Sequence, residues 1–423
     1  MNASEALCYL RQAASRGYKL GLERVSELTA RLGMPQNAYQ TIHISGTNGK
    51  GSVGAMLAAV LRKAGYVTGH FASPALRSPF DYFQIGGIPV PPDVFAQAIS
   101  EVHACAEQMD DLPTEFEILA AAAFTVFRQQ HCQIAVIECC MGGDSDCTNV
   151  IAHPLLSVIT NVRLDHCAFL GSSLPEIAAH KAGIIKQDCP VLTGCSDPDV
   201  VQVIRAYAEK MHSALYFPDT PPEIIRMSPE GTDCFSPAFD KLHLGLPGTY
   251  QPENAAIVLR AVSLLRDQGL QISDDAVRNG LADCRWRGRM ELLAKQPVVM
   301  FDGAHNPDGM QAAVSALTQF FGENRSLSFV IGVMADKAFE QYPALLAPLA
   351  NQIFTVTPDN PRALSAAQLA DVFRAAGIPA VPCDSVLQAV SGACDSGHPV
   401  IGLGSLYLYD AFCDALTKKG ILP

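Results

Sequence analysis

The segment Gly46-Thr47-Asn48-Gly49-Lys50-Gly51-Ser52 carries the clearest chemical signal in the sequence. Its glycines let backbone N–H groups turn toward one point, and Lys50 supplies a full positive charge there. Residues 41–44 before the segment have the pattern of a strand and residues 52–63 after it that of a helix, whose N-terminus adds partial positive charge. The sequence therefore predicts a loop that binds the phosphates of a nucleotide.

The predicted nucleotide-binding residues of this loop are Thr47, Asn48, Gly49, Lys50, Gly51 and Ser52. The usual eight-residue phosphate loop has glycine where this chain has Ile44, and its hydroxyl residue comes one place before Ser52. The loop is thus a variant of that motif. The alternative is a glycine-rich turn without a ligand, which the agreement of lysine, glycine spacing and strand-to-helix context disfavours.

The elements that position this loop form a repeating pattern of β-branched runs and amphipathic stretches, which is typical of a parallel α/β sheet. The predicted strands are residues 41–44, 67–71, 134–137, 155–160, 298–301, 328–331, 353–356 and 399–403. The predicted helices are residues 52–63, 115–130, 174–186 and 308–320. Ligands of such sheets bind beyond the carboxyl ends of the strands, where this loop lies.

We predict two domains, because Lys295-Gln296-Pro297 interrupts the alternation and 423 residues exceed the span of one core. Residues 1–292 would form an ATP-binding domain with a P-loop-type, doubly wound, mostly parallel sheet. Residues 297–423 would form a smaller, Rossmann-like α/β domain.

The overall composition is that of a globular protein with ample core, 49% hydrophobic and 17% charged. A net charge of −12 and a pI of about 5.3 disfavour binding to nucleic acid or to a membrane surface. The 14 cysteines have no paired zinc-site spacing, and neither a signal peptide nor a membrane-spanning run is visible. We therefore expect a cytoplasmic protein with reduced thiols, which acts on small molecules and is a monomer.

Beyond the loop, motifs along nearly the whole chain resemble the folylpolyglutamate synthase/dihydrofolate synthase family of the Mur ligase superfamily. In the first predicted domain they are residues 20–25, 43–53, 71–74, 114–117, 146–151, 159–161, 164–166 and 181–186. In the second they are Trp286 and residues 288–289, 302–307, 336–337, 361–362 and 404–408. Peptidoglycan-building members of the superfamily fit less well, because residues 146–151 and 405–408 look folate-type.

The resemblance implies an ATP-dependent acid–amino-acid ligase in which ATP lies between the two domains. The γ-phosphoryl group converts the carboxylate of a folate-type acid into an acyl phosphate, and the amino group of L-glutamate then attacks it. Such phosphoryl transfer depends on positioning and on neutralisation of charge. The family typically uses two Mg²⁺ ions for that neutralisation.

The resemblance also assigns roles to individual residues. The implied metal ligands are Ser73, Glu138, His166 and Lys181, and Lys181 matches a lysine that is often carbamylated, since a carbamate offers oxygen ligands that an ammonium lacks. The implied nucleotide residues of the second domain are Arg289 and Asp302. The implied substrate residues are Asp146, Thr148, Tyr82, His305 and Ser405, and the implied catalytic residues are Lys50, Lys181 and His305.

The residues themselves support these roles unequally. Glu138 closes an apolar strand, where a carboxylate without a partner is costly, so the pattern alone points to a function. Without the resemblance, Ser73 would be read as a turn residue, His166 as an ordinary polar residue and Lys181 as a solvated helix lysine.

Departures from the family pattern concentrate on the substrate side. Tyr82 stands where the family has an arginine associated with glutamate binding, and a phenol cannot replace a bidentate guanidinium. Ala75 replaces a histidine, Asp144 an arginine, His180 a glutamate and Tyr250 a histidine.

Three interpretations of these departures remain open. The chain is a divergent folate enzyme in which Arg77 or Arg163 compensates, a family ligase with another acceptor or amino acid, or a nucleotide-binding protein without ligase activity. The retention of Lys50, Glu138, His166 and Lys181 disfavours the last interpretation, because chemistry needs all four and mere binding does not.

Overall fold

The computed structural model describes residues 1–17, 19, 21–323 and 326–423, so Leu20 of the first resembling segment lies outside the described residues. The chain divides into two compact units, residues 1–222 with 253–284 and residues 223–252 with 285–423. This division differs from the predicted boundary between residues 292 and 297. Lys295 ends one strand and Gln296 and Pro297 form the turn between two antiparallel strands of the second unit, Glu291–Lys295 and Val298–Phe301, so the segment is not a linker.

The first unit is built on one mixed sheet. Its strands are β1 (Gln40–Ser45), β2 (Thr68–Phe71), β3 (Phe83–Ile85), β4 (Ile88–Pro89), β5 (Ile134–Glu138), β6 (Leu156–Ile159), β7 (Val191–Thr193) and β8 (Leu215–Tyr216). They are arranged in the order β4-β3-β2-β5-β1-β6-β7-β8. The pairs from β2 to β8 are parallel and the β2–β3 and β3–β4 pairs are antiparallel, which confirms the predicted mostly parallel sheet.

Helices connect and cover these strands. They are α1 (Ala3–Ala14), α2 (Glu23–Arg31), α3 (Lys50–Lys63), α4 (Pro92–Ala106), α5 (Glu115–Gln129), α6 (Cys167–Leu170), α7 (Leu174–Ala182), α8 (Pro198–Lys210), α9 (Gln251–Asp267) and α10 (Asp274–Asp283). Short 3-10 turns occur at Pro35–Asn37, Pro79–Tyr82 and Cys147–Val150. None of the described helices is long and apolar enough to cross a membrane.

The helix after the phosphate loop is held in the core by small side chains. Residues 51–61 of α3 are all buried, and the β-carbon of an alanine at Gly280 of α10 would lie 2.6 Å from the Cα atom of Val60. The two helices therefore touch along their backbones, which fixes the direction in which the N-terminus of α3 points.

The predicted helix over residues 174–186 was too long. In the structure α7 ends at Ala182, and Ile184 and Ile185 leave the helix to pack in the buried cluster around α7 and α8. In the sequence, the apolar Ile184 and Ile185 fit the spacing of a helix that continues to residue 186. In the structure they lie in the loop that leads to β7, and their side chains pack in the core.

The described part of the second unit contains a six-stranded sheet with the order β12-β13-β17-β14-β15-β16. The β12–β13 pair is antiparallel and the other neighbouring pairs are parallel. These strands are β12 (Glu291–Lys295), β13 (Val298–Phe301), β14 (Leu327–Ile331), β15 (Ala350–Thr355), β16 (Ala380–Pro382) and β17 (Val400–Leu403). The helices are α11 (Pro307–Phe321), α12 (Tyr342–Leu346), α13 (Ala366–Ala375), α14 (Val386–Asp395) and α15 (Tyr409–Lys418), with 3-10 turns at Phe339–Gln341 and Leu406–Leu408. The predicted α/β fold of this part is confirmed.

The second unit also contains a small antiparallel sheet that was not predicted. It has the order β11-β10-β9, with β9 at Glu223–Ser228, β10 at Gly231–Ser236 and β11 at Asp240–Leu244. β9 is exposed along most of its length, so its residues lack the alternation of apolar and polar side chains that marks a half-buried strand.

Candidate functional site

The phosphate loop leaves the carboxyl end of β1 and enters α3. Gly49 is the residue before the helix and has a φ of 84°, which favours glycine. The segment after β6 supports the loop, since Thr47 N donates to the Asn161 carbonyl (2.9 Å) and Asn48 N to the Asn161 side-chain oxygen (2.8 Å). The Thr160 hydroxyl donates to the Asn48 carbonyl at 2.7 Å. The loop is thus tied to the neighbouring strand, as a rigid anion site requires.

Two lysines from different helices meet at the first residue of the loop. Lys50 Nζ donates to the Gly46 carbonyl at 3.0 Å, and Lys181 Nζ of α7 donates to the same oxygen at 2.9 Å. Glu138, at the end of β5, lies with Oε1 4.0 Å from Lys50 Nζ, and its side chain is only 6% exposed. The structure therefore brings three of the predicted site residues together at the carboxyl end of the sheet.

Lys181 is unusual in its electrostatics. Its burial, reinforced by the positive charge of Lys50, lowers the pKa of its amine to about 7. The carboxylate of Asp165 acts in the opposite direction, and Asp165 itself is mostly buried. A large fraction of Lys181 is therefore the neutral amine near neutral pH, which is the form that reacts with electrophiles.

The other two predicted metal ligands occupy the surrounding loops. Ser73 follows β2, and its side chain lies close to the thiol of Cys140, two residues beyond Glu138. His166 precedes α6 with a φ of 52°, and its Nε2 atom is 4.0 Å from a carboxylate oxygen of Asp165. Among the described residues no group of three or more His, Cys, Asp or Glu side chains is arranged to hold a metal. Only two of the four predicted ligands are of those types.

Asp146 and Thr148, predicted to contact substrate, belong to a buried hydrogen-bond network. The Thr148 hydroxyl donates to Asp146 Oδ1 at 2.6 Å and lies 2.8 Å from His43 Nε2, and Thr148 is fully buried. Asp146 Oδ2 accepts from the backbone N–H of Met141. The structure thus places Thr148 under the loop that follows β5, as a support for Asp146.

Two departures from the family pattern contact each other. His180 Nδ1 on α7 lies 2.9 Å from Asp144 Oδ2, and the Asp144 N–H donates to the His180 carbonyl at 2.9 Å. The β-carbon of an alanine at Gly143 would lie 2.9 Å from the Lys181 carbonyl, so only glycine lets this loop approach so closely. Where the family has arginine and glutamate, this chain has aspartate and histidine.

We predict that the two positions act as a pair. Asp144→Arg alone would place a guanidinium against His180 and near the Lys181 helix turn, and should reduce ATP turnover several-fold. The change in unfolding free energy should stay under about 1 kcal/mol, because the pair is half-exposed. The double variant Asp144→Arg/His180→Glu should recover most of the turnover, measured as phosphate release with thermal unfolding in parallel. Equal loss in the single and double variants would contradict pairing.

In the second unit, a buried carboxylate organises the predicted nucleotide residues. Asp302 lies just beyond β13, is 4% exposed and accepts from Met290 N and Ala304 N, both at 2.8 Å. Burial raises the pKa of Asp302, while the nearby Arg289 guanidinium and the hydrogen bonds lower it. The Tyr250 hydroxyl donates to Asp302 Oδ2 at 3.1 Å.

His305 and Ser405 lie at two neighbouring strand ends of the same unit. His305 follows β13 and its Nδ1 atom contacts the Gly303 carbonyl at 2.8 Å. Ser405 follows β17, is 3% exposed, and accepts from Tyr407 N as the cap of the 3-10 turn that starts at Leu406. Since β13 and β17 pair in parallel, both residues lie at the carboxyl edge of the sheet.

Tyr82 packs against aromatic neighbours. Its ring centroid is 6.3 Å from that of Phe71 and 6.5 Å from that of Phe116, which it meets edge-on. Arg77, the suggested compensating cation, lies on the exposed side of the same loop, and its backbone N–H donates to Asp81 Oδ2 at 2.8 Å. Arg163 contacts the phosphate loop through its backbone, because its N–H donates to the Thr47 hydroxyl at 3.0 Å.

Several supporting residues were not assigned roles from the sequence. Asn161 and Thr160 hold the phosphate loop, Asp165 acts on Lys181, and Asn254 approaches Gly49 so closely that an added β-carbon would lie 2.6 Å from its side-chain oxygen. Asn161 and Asp165 lie after a predicted strand, within segments that resemble the family, and this position could have indicated their role. For Asn254, far along the chain, no such signal existed.

Comparison with known proteins gives the class to which this fold and site belong. The model of the Mur ligase middle domain matches residues 44–262, and that of the Mur ligase glutamate ligase domain matches residues 288–402. These matches define a Mur-type ligase.

Full-length relatives then give the family. The chain is 34% identical to a dihydrofolate synthase/folylpolyglutamate synthase of Bacillus subtilis over 92% of this chain and 94% of the relative. It is 32% identical to a folylpolyglutamate synthase of Lacticaseibacillus casei over 97% and 98% of the two chains. The structure of Mycobacterium tuberculosis folylpolyglutamate synthase complexed with ADP superposes with a TM-score of 0.89, 29% identity and 98% coverage of both chains. The chain belongs to the folylpolyglutamate synthase/dihydrofolate synthase family and is an ATP-dependent ligase.

Proposed function

We propose that this protein couples a folate-type acid to L-glutamate through an acyl phosphate. The observation that carries the proposal is the meeting of Lys50 and Lys181 at the Gly46 carbonyl, with Glu138 beside them. Lys50 at the N-terminus of α3 suits the phosphates of a nucleoside triphosphate, and the buried Glu138 carboxylate suits the cation that accompanies it.

The reaction runs in two steps. A carboxylate oxygen of the acid attacks the γ-phosphorus of ATP and ADP leaves, which gives the acid an activated carbonyl. The amino group of glutamate then attacks that carbonyl, inorganic phosphate leaves, and the nitrogen loses a proton. We assign Lys50 and the N-terminus of α3 to the phosphates, and we assign Arg289 and Asp302 of the second unit to the nucleotide.

Magnesium fits the donor chemistry of the first unit. Glu138 offers a buried carboxylate, Ser73 a hydroxyl and His166 an imidazole, and Lys181 would add oxygen donors as a carbamate. The pKa of about 7 favours that modification, because carbon dioxide reacts with the neutral amine. Bound there, the metal would neutralise charge on the transferring phosphoryl group.

We assign Asp146, Tyr82, His305 and Ser405 to the two organic substrates. The experiment that tests the function is phosphate release by the purified protein with pterin and non-pterin acids, each with and without glutamate. Release that needs both a pterin acid and glutamate would support the proposal. Phosphate release only with a non-pterin acid, or only with an amino acid other than glutamate, would contradict the proposal.

A second function rests on one observation. Tyr82 packs into an aromatic cluster where the family pattern has the arginine associated with glutamate, so a ligase that uses another amino acid or another acceptor acid is the alternative function. We further propose that the protein acts as a monomer in the cytoplasm, which gel filtration and cell fractionation would test.

We predict weaker use of glutamate than in a typical family member. A carboxylate held by a guanidinium gains about 1.5–3 kcal/mol from the charged hydrogen bond, which is roughly ten- to a hundredfold in KM. Tyr82→Arg should therefore lower the glutamate KM, and Arg77→Ala should raise it if Arg77 compensates.

Tyr82→Phe is the matched control for this pair, because it preserves the ring contacts with Phe71 and Phe116 and should leave the glutamate KM within about twofold. If neither Tyr82→Arg nor Arg77→Ala changes the glutamate KM, and another amino acid is coupled well, the protein is a ligase for that other amino acid.

A further inference from the structure

The turn that carries Arg289 is held from both sides by carboxylates, that of Asp302 buried and that of Glu291 partly buried. Glu291 Oε2 accepts from Gly288 N at 2.7 Å, and Asp302 Oδ2 accepts from Met290 N at 2.8 Å. These two N–H groups flank Arg289, so its backbone cannot rotate without breaking one of the two bonds.

The turn has an uncommon backbone conformation. Gly288 has a φ of 68° and Met290 a φ of 44°, and the latter lies in the left-handed region that non-glycine residues seldom occupy. Such a conformation persists only where the surroundings impose it. Met290 is fully buried, and its N–H donates a hydrogen bond to Asp302 that helps to hold it.

Asp302 depends in turn on Tyr250. Its Oδ2 atom accepts from both Met290 N and the Tyr250 hydroxyl, so the tyrosine, together with the Ala304 N–H on Oδ1, orients the carboxylate that holds the Arg289 turn. The Arg289 guanidinium passes beside Gly303, where an added β-carbon would lie 2.6 Å from Nη1. All of these residues belong to the second unit.

We propose that Tyr250 is a positioning residue for nucleotide binding, which acts through Asp302 on the Arg289 turn. The hydroxyl takes the place of the histidine of the family pattern and supplies a donor that stays protonated, since burial and the Asp302 charge raise the pKa of Tyr250. The inference rests on the proposed assignment of Arg289 and Asp302 to the nucleotide.

The test is titration calorimetry of ADP and of a non-hydrolysable ATP analogue in magnesium buffer, without acid or amino acid. Tyr250→Phe should weaken binding of both nucleotides roughly tenfold, as expected for loss of one hydrogen bond to a charged group. Tyr250→His should restore most of the affinity. Tyr342→Phe, which removes another buried tyrosine hydroxyl in the same unit, should leave it unchanged.

Two further readouts separate positioning from general destabilisation. Loss of a donor raises the pKa of Asp302, which the Arg289 charge still lowers, so the acidic limb of kcat/KM for ATP should move to higher pH in Tyr250→Phe. In an Asp302→Asn background, Tyr250→Phe should have little further effect on affinity.

Nucleotide affinity equal in Tyr250→Phe and Tyr342→Phe would overturn the proposal, as would additive effects of the Tyr250 and Asp302 changes. If Tyr250→Phe does not fold, failure of Tyr250→His to bind nucleotide with near wild-type affinity would overturn it. A wild-type protein that binds nucleotide but does not couple glutamate would contradict the proposed function alone. One that binds no nucleotide would contradict both.

Discussion

Lys50→Ala is expected to lower ATP turnover at least roughly 10²–10³-fold, to the background of the assay, without unfolding the protein. The amine lies in the phosphate loop, 3.0 Å from the Gly46 carbonyl, and it is the cation placed for the phosphates. Removal of one preorganised group that stabilises the charge of a transition state typically costs this much. The measurement is phosphate release with saturating acid and glutamate.

The matched control is Lys63→Ala, which deletes a lysine at the other end of the same helix, where it pairs with Asp283. This variant should retain turnover, and circular dichroism of both variants should match the wild type. If Lys50→Ala turns over ATP within a few-fold of the wild-type rate, the assignment of residues 46–52 as the phosphate-binding loop is wrong.

The second large effect is expected at Lys181. If its amine is carbamylated, removal of carbon dioxide from the buffer should reduce activity and added bicarbonate should restore it. Lys181→Ala should lose nearly all turnover and regain part of it with acetate or propionate, which supply the missing carboxylate oxygens. We expect carbamylation because the lowered pKa of Lys181, about 7, leaves neutral amine available to react with carbon dioxide at the pH of the assay.

Lys186→Ala is the control for that rescue. Lys186 belongs to the same resembling segment and donates to the Asn149 carbonyl at 3.0 Å, so its loss should not be repaired by small carboxylates. An experimental density map with a bare ammonium at Lys181, far from any metal, would contradict carbamylation, as would activity that is insensitive to carbon dioxide.

The strand pattern and the phosphate loop could be predicted from the sequence because both are local signals. Residues 298–301 were predicted as a strand and form one over the same residues, and the predicted helix after the loop starts two residues earlier, at Lys50. A buried parallel strand is a continuous apolar run, and a phosphate loop has its lysine and glycines within seven positions.

The unit boundary and the antiparallel sheet could not be predicted, because neither has a local signature. The chain leaves the first unit after Pro222, returns for residues 253–284 and leaves again, so no single break in composition marks the division. The hairpin turn at residues 296–297 contains a proline, as linkers often do, but it joins two paired strands.

The side-chain pairs of the site were also invisible in the sequence. Asp144 and His180 were noted as separate departures, yet they are 36 residues apart in sequence and 2.9 Å apart in space. Tyr250 and Asp302 are 52 residues apart and joined by one hydrogen bond. Such contacts depend on which loops the sheet order brings together, and that order follows from packing of the whole unit.

The most direct test of the central claim is to follow oxygen-18 from the acceptor carboxylate. A pterin acid labelled in both carboxylate oxygens is incubated with ATP, magnesium and glutamate, and the phosphate and the coupled product are analysed by mass spectrometry. The acyl-phosphate account predicts ADP as the nucleotide product, one labelled oxygen in each inorganic phosphate, and one in the new amide. Unlabelled phosphate, or AMP in place of ADP, would contradict it.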